Sequence, residues 1–290
     1  MSYQSFLFRI NAGRTDAERD RAIPLPEGVT ECRDLSYGPK GKWNRLDVYY
    51  PQQTGAPLPT IVSIHGGGYV YGDKEVYRRY CMDLARRGFS VVNFTYRLSP
   101  EWKFPAPLED TNLVMHWLCQ NAQKYHLDPN RLFLVGDSAG AQLASQYAAI
   151  ATNPDYAAHF SFAVPQINLL AVGLNCGMYN ASELAAGPRK SIAKDYLGVK
   201  IKADDPRLQV LENITGQFPP AHITTACHDF LRPCAEPMAK FLSEKGVSVR
   251  LDCYGTEEDE TIGHVFHCNI LLSEAVRCND DQCEFFRTFL

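Results

Sequence analysis

Leu132-Phe133-Leu134-Val135-Gly136-Asp137-Ser138-Ala139-Gly140 is the stretch that decides the architecture. Four consecutive apolar residues suit a strand buried on both faces, as in a parallel sheet. Residues 136–140 have the form G-x-S-x-G, and Ala139–Ala151 carries a helical pattern. A strand that turns sharply into a helix projects the middle serine above the sheet edge, and flanking glycines relieve the crowding there.

Outward from this point, short apolar or alternating runs recur with helical stretches between them. Strands are expected at Val29–Tyr37, Arg45–Tyr50, Thr60–His65, Ser90–Tyr96, Arg131–Val135, Phe160–Pro165, Ala221–Ala226 and Val247–Tyr254. Helices are expected at Lys74–Arg87, Leu108–Tyr125, Ala139–Ala151, Pro233–Lys245 and Asn269–Leu290. Strand–helix alternation of this kind predicts an α/β domain with a mostly parallel sheet covered on both faces. Two regions break the rhythm: the residues before about Val29, and a long connection from about Asn168 to Pro219. A long irregular connection in a compact domain is usually functional, for example a lid.

Bulk properties exclude several classes. The chain has 290 residues, 45% hydrophobic, so one sizeable core is expected. Its 29 basic and 33 acidic residues leave a net charge of -4, without the basic face that nucleic-acid binding requires. No run approaches the roughly 20 apolar residues of a membrane span, and no secretory leader is apparent, so a cytoplasmic protein is expected. The 10 cysteines are scattered singly with no CxxC pair, and free thiols are the expected state. Cys268, Cys278 and Cys283 lie near His264 and His267, but their spacing fits no zinc pattern. No metal and no organic cofactor is called for; homodimerisation is left open.

A serine hydroxyl needs a base and an orienting acid to attack a carbonyl. On this architecture they follow in the order Ser, Asp or Glu, His, each after a strand. Asp229 lies just beyond Ala221–Ala226, and His264 lies in the loop after Val247–Tyr254. His267 is the rival base, but it merges with the last helix. His228 reads as structural, Asp252 falls inside a strand, and Glu257, Glu258, Asp259 and Glu260 read as a solvated loop. His65-Gly66-Gly67-Gly68 follows the strand Thr60–Ile64, and a glycine run there offers unobstructed N–H groups to an oxyanion. It lacks the GK[ST] ending of a phosphate loop. Gly66, Gly67 and Ala139 are the expected oxyanion donors, and Tyr69 is the expected substrate-binding residue.

With these residues in hand, the chain resembles the hormone-sensitive-lipase-like branch of the α/β-hydrolase superfamily. The resemblance rests on HGGG at 65–68, GDSAG at 136–140, Asp229-Phe230-Leu231-Arg232 and His264-Val265-Phe266. Tyr96-Arg97-Leu98-Ser99-Pro100-Glu101 and Phe104-Pro105-Ala106-Pro107-Leu108-Glu109-Asp110 add to it. It implies an α/β-hydrolase fold of eight strands with a small cap, residues 1–290 forming one domain. The cap would come from about 1–28 and 168–219. The triad would be Ser138, Asp229 and His264, and the activity a carboxylesterase acting on small-molecule esters with short acyl groups. Amidase or formamidase activity with the same triad, and a small-molecule receptor on a hydrolase scaffold, are the alternatives. Phe230 stands where the family usually has proline, and Val265 where it has glycine.

Overall fold

The computed structural model describes residues 1–185 and 190–290. Eight strands form one sheet: β1 (Val29–Ser36), β2 (Arg45–Pro51), β3 (Leu58–Ile64), β4 (Ser90–Phe94), β5 (Leu127–Asp137), β6 (Leu169–Asn175), β7 (Ala221–Ala226) and β8 (Val249–Tyr254). Their order is β1-β2-β4-β3-β5-β6-β7-β8. β1 and β2 join antiparallel, as do β2 and β4, and the remaining ladders are parallel.

The period-two alternation of the strands divides the core into two layers. Val62, Ile64, Leu132 and Leu134 face one side, where α3 (Ala106–Asn121), α4 (Ala139–Thr152) and α8 (Ala235–Glu244) pack through Leu108, Leu143 and Met238. Ile61, Phe133 and Val135 face the other, against Leu84 of α2 (Arg78–Arg86) and Phe286 of α9 (Ser273–Arg287). Fully burying such a side chain contributes about 1.5–3 kcal/mol. The remaining helices among the described residues are α1 (Tyr3–Ala22), α5 (Pro154–Ala157), α6 (Lys190–Leu197) and α7 (Val210–Asn213).

One expected strand is misplaced. Phe160–Pro165 is irregular, and the sixth strand is Leu169–Asn175, within the stretch expected as an insertion. Both runs are apolar, but Pro165 cannot donate to a ladder, and the sixth strand sits centrally between β5 and β7. Phe160 instead packs edge-on against Tyr156 at 5.4 Å. The non-sheet part of the expected 168–219 segment therefore begins only after Asn175, and its residues 186–189 lie outside the described ones.

Most of the residues before Val29 form α1, which no sequence pattern predicts. Ser2 caps it, accepting from the Ser5 N–H. Apolar residues are spread around the helix, so no single face announces it. Arg9 donates to the Val70 and Ser99 carbonyls, Arg19 to the Val76 carbonyl, and the Ser2 N–H to Asp195 of α6. These bonds lay α1 across the C-terminal edge of the sheet. Among the described residues, no helix is long and apolar enough to cross a membrane.

Candidate active site

The site begins at the end of β5. Ile64 pairs with Gly136, so the loop after β3 and the turn after β5 leave the sheet side by side. Ser138 has φ 53 and ψ -116, a strained conformation for a residue with a side chain. Its N–H donates to the Asn175 carbonyl at 3.0 Å, which anchors the turn to β6. A Cβ at Gly136 would run into the Gly140 carbonyl, and one at Gly140 into the Ile64 carbonyl. Both glycines of the motif are thus required by close backbone approach.

Asp229 and His264 come together through an isolated parallel bridge, His228 with Gly263, one residue before each. His264 Nδ1 bonds Asp229 Oδ1 at 2.7 Å, and its Nε2 lies 3.0 Å from Ser138 Oγ. Asp229 Oδ1 also accepts the Leu231 N–H, and Oδ2 accepts the Thr225 hydroxyl. Burial pushes the Asp229 carboxyl up, but the His264 hydrogen bond and charge, with the Leu231 and Thr225 donors, outweigh it and hold the group below the ordinary value. The other histidines are elsewhere. His228 Nε2 meets the Glu257 carbonyl, and His267 is buried beside Tyr80 and Cys268. Asp252 bonds His222 away from the site.

The glycine loop departs from expectation at one position. Gly66 is not an available donor, because its N–H goes to the Tyr77 hydroxyl at 3.0 Å. The N–H groups of Gly67, Gly68 and Ala139 meet no protein acceptor among the described residues. Gly67 has φ +106 and Gly68 φ +58, conformations glycine adopts without strain. No local pattern distinguishes these glycines; the phenol that occupies the first comes from eleven residues away.

Above Ser138 lies a cavity of about 470 Å³. Phe8, Ala12, Asp16 and Arg19 of α1 form one wall, with Met178, Leu184 and Ile192 from the segment after β6, and Phe230 at His264. Tyr69 lines it too, its ring stacked on Tyr196 at 3.8 Å and its hydroxyl donating to Gln142. No sequence motif marks the α1 residues, although Gln4, Phe8, Ala12, Thr15, Asp16 and Arg19 share one helical face. Cys176 Sγ lies within 4.8 Å of ligand atoms of Asp229 and His264, a set that can hold a soft divalent ion only by parting the Asp–His bond. Among the described residues no disulfide joins the cysteines.

The segments expected as family signatures outside the triad have a structural role. Arg97 meets Asp110 at 2.9 Å, and Asp110 also accepts from Asn44. Burial outweighs these partners and pushes the Asp110 carboxyl up to about 6.

Residues 61–267 match the family model of the alpha/beta hydrolase fold. Versiconal hemiacetal acetate esterase of Dothistroma septosporum is 30% identical over 257 residues, covering 84% of this chain and 77% of that protein. Ethyl acetate hydrolase of Pseudomonas putida is 29% identical over 217 residues, covering 70% and 67%. Esterase B from Lactobacillus rhamnosis superposes with a TM-score of 0.89 at 24% identity, over 99% of this chain and 94% of that one. The last likeness concerns the fold.

Proposed function

From the premise that this chain belongs to the α/β-hydrolase family, in its hormone-sensitive-lipase-like esterase branch, we propose a short-acyl carboxylesterase in which Ser138 is the nucleophile, His264 the base and Asp229 the orienting acid. The observation that carries the residue assignment is the unbroken contact from Asp229 through His264 to Ser138, at 2.7 and 3.0 Å.

In the forward step His264 Nε2 takes the Ser138 proton as Oγ bonds to the ester carbonyl carbon. Asp229 holds the Nδ1–H tautomer and stabilises the imidazolium. The carbonyl oxygen becomes an oxyanion, for which Gly67, Gly68 and Ala139 supply N–H groups aligned before reaction; one such donor is worth about 100- to 1,000-fold in rate. His264 returns the proton to the leaving alkoxide. Water, deprotonated by His264, then splits the acyl-enzyme and regenerates Ser138.

The relatives named for acetate ester cleavage, and a cavity of about 470 Å³ shared by both halves of the substrate, support small esters. α1 and the segment after β6 act as the cap. The balanced charge and the absence of a spanning helix among the described residues support a cytoplasmic protein working on a small molecule, with no nucleic-acid partner.

The test is a p-nitrophenyl ester series from acetate to laurate, run beside N-formyl amides, with Ser138→Ala as the blank. A maximum in kcat/KM at two to about six carbons is expected. Strong preference for the amides would replace esterase by amidase. Failure of a fluorophosphonate to label Ser138 in folded protein would remove the nucleophile.

A further inference from the structure

Three successive peptide planes of the glycine loop are each held by a hydrogen bond to one of their two polar groups. The Gly66 N–H donates to Tyr77 Oη at 3.0 Å, which orients the plane between His65 and Gly66. His65 Nδ1 lies 2.7 Å from the Gly66 carbonyl. Burial holds this imidazole neutral, down to about 4 despite that bond, so its Nδ1–H is the donor. The bond orients the next plane, and because a trans peptide points its C=O and N–H to opposite sides, it turns the Gly67 N–H away from His65. The Gly67 carbonyl accepts from Val70 and Tyr71 at 3.2 and 3.0 Å, which orients the plane carrying the Gly68 N–H.

The first of these clamps reaches back to the nucleophile turn. Tyr77 Oη accepts from Gly66 and donates to Asp137 Oδ2 at 2.7 Å. Asp137 is the residue before Ser138, and both it and Tyr77 are buried. A Cβ at Gly66 would collide with Asp137 Oδ2, so the loop lies directly on this carboxylate. A buried carboxylate is costly to keep. An apolar residue here would be cheaper for the fold, which points to a role in the site.

We propose that Tyr77 and Asp137 are positioning residues: their hydrogen-bonded relay locks the oxyanion loop to the nucleophile turn, so that the open N–H groups and Ser138 Oγ hold one fixed geometry. The proposal rests on the reading of Ser138 as nucleophile. The carboxylate acts as an acceptor for the phenol, and its charge is not what the relay uses.

The experiment compares Tyr77→Phe, Asp137→Leu, Asp137→Asn and the double variant Tyr77→Phe/Asp137→Leu in the full chain, on p-nitrophenyl butyrate. Misplacing catalytic groups by about 1 Å costs on the order of 100-fold. Tyr77→Phe and Asp137→Leu are therefore expected to lower kcat by about 10- to 100-fold while KM stays within about threefold. Affinity for an alkyl boronic acid, whose serine adduct places an oxygen in the oxyanion position, should fall with kcat; affinity for butyrate should not. The double variant should be no worse than the worse single one, because both break the same relay. Asp137→Asn keeps an acceptor oxygen and is expected to retain kcat within about threefold. Thermal unfolding confirms that each variant is folded.

Unchanged kcat in folded Tyr77→Phe, a loss confined to KM, additive losses in the double variant, or an Asp137→Asn loss equal to that of Asp137→Leu would each overturn the relay. Fluorophosphonate labelling of the parent separates the two readings. A parent that is not labelled at Ser138 defeats the hydrolase assignment itself, whereas a labelled parent with fully active relay variants defeats only this inference.

Discussion

His264 Nε2 stands 3.0 Å from Ser138 Oγ across a sequence separation of 126 residues. Two parallel strand ends and one isolated bridge produce that proximity, since Ser138 leaves β5 while the His228–Gly263 pairing brings the loops of Asp229 and His264 together.

The opposite nitrogen of the same ring predicts the first outcome. Asp229→Asn keeps the size of the side chain but can donate to His264 Nδ1 and favour the wrong tautomer. A loss of about 10⁴ in kcat is expected, with little change in KM. Steady-state kinetics on a p-nitrophenyl ester checks this, and a loss under tenfold would mean that another group orients the imidazole.

Backbone strain at Ser138 predicts the second. Its positive φ of 53 favours glycine, and such a conformation costs about 1–3 kcal/mol in a residue with a Cβ. Ser138→Gly and Ser138→Ala should both be inactive, yet Ser138→Gly should be the more stable by about 1 kcal/mol. Equal denaturation midpoints for the pair would argue that the turn is unstrained.

Val265 predicts the third. A branched residue occupies the left-handed region here, with φ 55 and ψ 30, directly after His264. This is the position at which the family resemblance calls for glycine. Val265→Gly is expected to stabilise the fold by about 1 kcal/mol, which is roughly 2 °C in Tm. A lower Tm would show that the lost side-chain packing outweighs the relieved strain.

The fourth concerns acid. Burial holds His267 down to about 3, the charges of His264 and Arg19 adding to it, and burial holds His65 down to about 4. An unfolded imidazole titrates near 6.5, so as pH falls the unfolded chain takes up these protons first. Stability from this source is complete above about pH 6.5 and is lost progressively toward pH 4 and 3. Asp137 works in the opposite sense. Burial, against the Tyr77 bond and the His264 charge, pushes it up to about 7, so it favours the folded state as pH falls below that value. Comparison of variants isolates the histidine. His267→Gln should unfold at a lower temperature at pH 7, show a shallower fall in Tm between pH 6.5 and 4, and retain kcat. A slope equal to that of the parent would take His267 out of the acid response.

Much of the site could be read from the chain because its pieces are local. Leu132–Gly140 encodes strand, sharp turn and helix within nine residues, and the glycine at 136 is forced by a contact within the turn itself, with the Gly140 carbonyl. Asp229 follows β7 and His264 follows β8, an order that the chain itself displays. His267, three residues beyond His264, lies against Tyr80 in the interior.

What the chain could not disclose depends on partners far away in sequence. Two apolar runs compete for the sixth strand, and only the neighbours β5 and β7 select Leu169–Asn175 over Phe160–Pro165. α1 has no single apolar face, so its place over Ser138 emerges only from the bonds Arg9, Arg19 and Ser2 make elsewhere. The glycine run is a sequence fact, but which N–H groups stay open is not. A peptide plane can face either way, and here Tyr77, His65 and the Val70 and Tyr71 N–H groups choose, closing Gly66 and leaving Gly67 and Gly68 open. Sequence alone therefore determined the strand–turn–helix that presents Ser138 and the order of its partners. Tertiary structure decided the orientation of the donors and the walls of the cavity, because hydrogen-bond direction and packing are set by residues that meet only when the chain has folded.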